Sequence, residues 1–143
     1  MAAEQNPIER QVFIPARPET VFRFLVEPEL MARWIGRAQY AAAEEGGLFR
    51  LQFTFGEGHT ATGIFTEISP PERIAFSFGW EGYDTFPPGM SLVEIQLCPL
   101  ADGTVLKLKH SGFPDATGPK FTPKDHADRW SHYLSQLAEA VYR

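Results

Sequence analysis

The chain has 143 residues, a formal charge of −5 and 43% hydrophobic residues, with aromatics at 13%. These proportions allow one domain with a full core and exclude a disordered chain, and the negative charge gives no electrostatic ground for expecting nucleic acid or an anionic membrane as partner. One cysteine, Cys98, excludes an internal disulfide and a multi-thiolate metal site.

In chain order, the alternation of Ile8–Ile14 predicts a first strand, closed by Pro15. Pro18-Glu19-Thr20 opens a short helix, since proline suits the first turn and Glu19 meets the positive end of the helix dipole. Val21, Phe24 and Leu25 form its apolar face. Pro28 starts a second short helix through Leu30, Met31, Trp34 and Ile35, which Gly36 ends. From there the pattern changes to period two. Residues 39–44 give a weak strand; after the Gly46-Gly47 turn, Phe49, Leu51, Phe53 and Phe55 share one face, with Arg50, Gln52 and Thr54 on the other. Gly56-Glu57-Gly58 turns into a strand over residues 59–68, and Ser69-Pro70-Pro71-Glu72 turns again. Ile74, Phe76, Phe78 and Trp80 then share a face. A looser segment, residues 81–89, carries Tyr83, Phe86 and two prolines; as a loop, it is expected at a mouth or on the exposed surface.

Val93, Ile95 and Leu97 alternate with Glu94 and Gln96. The Ala101-Asp102-Gly103 turn leads to Leu106, Leu108 and His110, out of phase with Lys107 and Lys109. The two polar rows predict opposite charges facing each other on a wet face. Cys98, in an apolar strand, is expected as an inert buried thiol. Thr122-Pro123 then makes an N-cap and N1 pair, and Ala127, Trp130, Tyr133, Leu134, Leu137 and Val141 give a long amphipathic helix. A helix with so bulky an aromatic face must bury it against the sheet. The prediction is therefore α+β: one domain, residues 1–143, with a curved antiparallel sheet around a long C-terminal helix and two short helices after the first strand.

Several stretches also resemble a known family. Pro18-Glu19-Thr20-Val21-Phe22, Glu27-Pro28-Glu29-Leu30 and Trp34 resemble a "PExVW…DPExxxxW" opening. Gly46-Gly47-Leu48-Phe49-Arg50 resembles "GGxFR", the stretch from Gly63 to Ile74 resembles "GxVxEIxPPERL", and His110-Ser111-Gly112-Phe113 with Trp130 resembles "HSGF…GW". Together they are similar to the START-like (SRPBCC, helix-grip) superfamily, in the branch of activators of heat-shock-protein-90 ATPase. The sequence departs from that pattern at Ile35, where a second tryptophan is common, and at Arg129, where glycine usually precedes the helix tryptophan. The resemblance implies a cavity between sheet and helix, and three functions: binding of an apolar, aromatic or lipid-like small molecule, stimulation of a chaperone ATPase through protein contact, or cyclase or hydrolase chemistry in the same cavity.

For ligand binding the expected walls are Phe53, Phe65, Phe76, Phe78, Trp80 and Trp130, with His110 as the polar contact, because strand parity turns it toward the helix. The same aromatics could instead be core, and His110 a buried histidine hydrogen-bonded to a backbone carbonyl or hydroxyl near the Ser111-Gly112 bend. General-base chemistry at His110 wants an orienting partner; Glu67, which shares parity with Phe65, is a candidate that parity leaves open. Asp128 and His132, spaced i,i+4 with His126 nearby, have metal-ligand spacing but fit a solvated flank equally well. No phosphate loop or nucleophile elbow occurs, so neither cofactor nor metal is expected. A chain opening without a basic-then-apolar segment, and with no run of membrane-spanning length, is expected to be cytoplasmic, as a monomer or homodimer.

Overall fold

The computed structural model describes residues 7–39, 43–53, 59–114 and 122–142. Its elements are β1 (Ile8–Ile14), α1 (Pro18–Val26), α2 (Pro28–Met31), β2 (Gly36–Gln39), β3 (Leu48–Phe53), β4 (Thr60–Ser69), β5 (Arg73–Trp80), β6 (Ser91–Leu100), β7 (Gly103–Ser111) and α3 (Pro123–Tyr142). The strands form one antiparallel sheet in the order β1-β7-β6-β5-β4-β3-β2, curved around α3. This is the expected helix-grip architecture. Among the described residues no helix is long and apolar enough to cross a membrane.

The period-two pattern explains the sheet's two faces. On β3, Phe49, Leu51 and Phe53 are buried while Leu48, Arg50 and Gln52 are exposed. On β6 and β7, Val93, Ile95, Leu97, Leu106, Leu108 and His110 turn inward. The wet face has the expected register, with Glu94 opposite Lys109 and Gln96 opposite Lys107. The ion pair recorded for Glu94, however, goes sideways to Arg73, at 3.5 Å. Cys98 corrects its expectation: it follows inward Leu97, so parity turns it outward beside Val105, and it is half-buried.

Two boundaries also differ from expectation. Helix α2 ends at Met31, residues 32–35 continue as hydrogen-bonded turns, with the Ile35 amide donating to the Met31 carbonyl at 2.9 Å, and β2 already begins at Gly36 rather than at 39. Gly36 lies at φ +153°, where a Cβ would sit 2.1 Å from the Gln52 carbonyl oxygen, so it lets β2 approach β3 rather than capping a helix. Phe55 and the 56–58 turn lie outside the described residues, as do residues 40–42 of the weak strand.

The N-cap of α3 is a reciprocal capping arrangement. The Asp125 amide donates to Thr122 Oγ1 at 3.1 Å, and the Thr122 amide donates to Asp125 Oδ2 at 3.3 Å. Thr122→Ala removes the acceptor and is expected to cost about 1 kcal/mol, readable as a lowered denaturation midpoint with an unchanged slope in urea. An unchanged midpoint would show that the cap contributes nothing.

Candidate functional site

The inner face of the sheet and α3 enclose a cluster of two tryptophans and two histidines. Strand parity turns Trp80 (β5) and His110 (β7) inward, and the helical repeat brings His126 and Trp130 onto the buried face of α3. Each tryptophan donates its indole N–H to a histidine on the other layer. Trp130 Nε1 donates to His110 Nδ1 at 3.1 Å, and Trp80 Nε1 donates to His126 Nε2 at 3.0 Å.

These bonds fix both tautomers. His110 Nδ1 accepts, so Nε2 carries the proton and donates to Ser91 Oγ at 2.8 Å; that hydroxyl donates onward to the Phe78 carbonyl at 2.7 Å. His126 Nε2 accepts, so Nδ1 donates to the Thr122 carbonyl at 2.9 Å. The capped end of the helix thus also aims the His126 ring. Burial pushes His110 well below 6.5, with His126 adding to the effect. Burial likewise lowers His126 to about 4, against the raising effect of the Thr122 carbonyl and with a smaller lowering by Arg129. Both imidazoles are therefore neutral at pH 7, and no buried side-chain nitrogen or oxygen among the described residues lacks a partner.

Phe86 and Phe113 complete the cluster. Phe86 has no exposed surface and stacks on His126 with ring centroids 5.1 Å apart and planes 17° apart. Phe113 lies 4.5 Å from the His110 ring centroid. The 81–90 segment therefore drives a side chain into the core, correcting the expectation of an exposed or mouth loop for Phe86. Gly79 makes the approach possible, since a Cβ there would sit 1.8 Å from the Pro87 carbonyl oxygen.

Among the described residues two small voids lie between the layers, and Trp130 borders both. The larger, about 30 Å³, is walled by Phe49, Leu51, Phe65, Phe76, Ile95 and Trp130 and roofed by Leu25, Met31, Trp34 and Ile35. The smaller, about 10 Å³, lies among Phe53, Phe78, Trp80, His126, Arg129, Trp130 and Tyr133. All six aromatic residues expected as walls thus border one void or the other. His110 borders neither: its ring is occupied by Trp130 and Ser91. A general base needs a lone pair facing its substrate, and the one on His110 is already given to an indole. Glu67 makes no pair with His110. A bulge between Phe65 and Glu67 breaks the parity, and Glu67 accepts from Arg73 Nε at 3.1 Å and from Ser69 Oγ at 3.0 Å.

Among the described residues no group of three potential metal ligands converges. Asp128 pairs with Lys124 at 2.7 Å, and both His126 nitrogens are engaged. The part of the site that parity missed is His126, Ser91, Phe86 and Phe113. His126 was accessible to sequence reasoning, because it stands one turn before Trp130 and extends the buried stripe.

A family model for activator of Hsp90 ATPase homolog 1-like protein matches residues 15–142. A crystal structure of a protein from Chromobacterium violaceum is 28% identical, with a TM-score of 0.81, over 96% of this chain and 98% of that one. A protein from Mesorhizobium loti is 19% identical, with a TM-score of 0.82, over 96% and 98% of the two chains. An HSP90 activator from Plasmodium falciparum is 20% identical, with a TM-score of 0.74, over 93% and 94%. At these last two identities the likeness is one of fold. A search of curated proteins found no match.

Proposed function

The chain belongs to the activator of Hsp90 ATPase homolog 1-like family, and from that premise we propose that it binds a small apolar or aromatic molecule between the sheet and α3. The observation that carries the reading is the void of about 30 Å³ at the centre of the grip, with an apolar lining and a roof made partly of a four-residue helix and the turn after it. A void of that size admits no more than a water, and an apolar lining offers a water no partners. An apolar ligand gains by filling it and by displacing Met31 and its neighbours outward. Burying about 200 Å² of ligand surface would contribute about 5 kcal/mol before association and displacement costs. Phe65, Phe76 and Trp130 form the walls on this reading, and Phe53, Phe78 and Trp80 extend them past Trp130. His110 acts through Trp130, by holding its indole, rather than by touching the ligand.

Leu51→Phe adds roughly the missing volume and is expected to abolish ligand-induced thermal shifts while leaving the free protein's melting temperature within about 3 °C. Screening aromatic acids, flavonoids and fatty acids by thermal shift and native mass spectrometry reads both effects. No shift and no retained mass with the wild-type chain would count against binding.

A second reading, contact with a chaperone, is favoured by Leu48 and Ile64. They face each other across β3 and β4 on the outer side of the sheet and are 60% and 46% exposed. On that reading a Leu48→Glu, Ile64→Lys variant loses stimulation of a chaperone ATPase while its melting temperature holds. An ATPase that the wild-type chain does not stimulate would remove it.

A further inference from the structure

We propose that Arg129 makes the ligand site selective for molecules with an apolar body and a carboxylate. The inference rests on the ligand-binding reading above and adds the chemical class of the ligand. Arg129 immediately precedes Trp130, the wall shared by both voids, and its half-buried side chain borders the smaller of them. Its guanidinium carbon lies 5.7 Å from the centre of the Trp80 ring, and the other walls of that void are aromatic or the neutral His126. Arg23 pairs with Glu27, Arg50 with Glu81, Arg73 with Glu67 and Glu94, and Lys124 with Asp128. Arg129 has none: among the described residues its guanidinium makes no ion pair and no hydrogen bond. The nearby Asp125 carboxylate accepts from the Thr122 amide.

A cation held over an aromatic face keeps its in-plane N–H groups free, and guanidinium geometry matches a carboxylate with two parallel bonds. Partial burial makes such a bond stronger than it would be in open water. The apolar body of the ligand then runs from Arg129 past Trp130 toward the larger void, so one end of the site supplies charge and the other only area.

The test is isothermal titration of the full chain with 1-naphthylacetate and with its neutral amide, on the wild type and on the Arg129→Gln and Arg129→Lys variants. The acid is expected to bind at least tenfold more tightly than the amide. Arg129→Gln should abolish that preference and leave the amide's affinity within twofold, and Arg129→Lys should restore part of it. Equal affinity of acid and amide for the wild type would overturn the selectivity and leave apolar binding standing. Arg129→Gln weakening both ligands alike would also overturn it, since that is what a purely structural arginine does. Neither compound binding at millimolar concentration would overturn the ligand-binding reading itself.

Discussion

Replacing Gly79 by alanine is expected to cost this fold 3 kcal/mol or more, roughly 10 °C in melting temperature for a chain of this size. The added Cβ would lie 1.8 Å from the Pro87 carbonyl oxygen, 2.4 Å from its carbon and 2.6 Å from the Pro88 Cα. These are backbone atoms, so no rotamer change relieves the clash and the 81–90 segment must lift. That segment accepts the Trp80 amide at the Phe86 carbonyl, at 2.8 Å, and places Phe86 against His126. Lifting it strips burial from a fully enclosed aromatic ring, a loss on the scale of a large-to-small core substitution. Gly82→Ala is the control. Gly82 sits at φ +84° with nothing within 4 Å of the added carbon, so only about 1–2 kcal/mol of left-handed strain is expected. Equal losses for the two variants would refute the close-approach argument.

Acid is expected to destabilise the protein well above the range in which carboxylates protonate. The folded-state pKa of His126 is lowered from 6.5 to about 4, and burial lowers that of His110 well below 6.5 as well. A group depressed in the folded state takes up its proton first in the unfolded chain. The stability is thus complete above about pH 6.5 and falls as pH drops toward 4. For His126 alone the loss between pH 7 and 5 is about 2 kcal/mol, with His110 adding to it. The structural cause is direct: protonating either ring turns the nitrogen that accepts an indole N–H into a second donor. Urea denaturation at intervals from pH 7.5 to 4.5 measures this, and His126→Gln should flatten the slope. Glu81, held at about 2 by the Arg50 guanidinium and the Thr62 hydroxyl, and Glu67, lowered chiefly by Arg73, contribute only at lower pH. A wild-type stability that stays constant from pH 7.5 to 5 would contradict the assignment of two neutral buried histidines.

The two predictions concern one cluster, since Phe86 stacks on His126, and they show where sequence reasoning stopped. Alternation alone was enough to place Phe49, Leu51, Phe53, Ile95, Leu97 and Leu108 on the inner face, because a buried strand face has a period that nothing else in the chain imitates. The α3 stripe and its Thr122 cap were legible for the same reason: spacing and capping are local properties. Cys98 was misplaced only because its residue type was weighed above its parity.

The candidate site depended on information that is not local. His110 read as a polar group facing an apolar pocket, and its inward direction was right, but its partners come from Trp130 in α3 and Ser91 at the start of β6. Glu67 changed neighbours through one bulge, which no spacing in β4 announces. Phe86 lies in a segment rich in glycine and proline, which reads as surface, and is buried because Gly79 on another element leaves room for the backbone beneath it. The sequence by itself determined most of the strands, the long helix, most of their inward faces and the helix-grip order, since each follows from periodicity within a dozen residues; β2 and the β4 bulge were the exceptions. Only the tertiary structure decided which indole meets which imidazole, how little space the aromatic side chains leave between them, and that Arg129 stands over Trp80 without an acidic partner. Those outcomes depend on side chains far apart in the chain filling one volume together, and packing of that kind has no period to read.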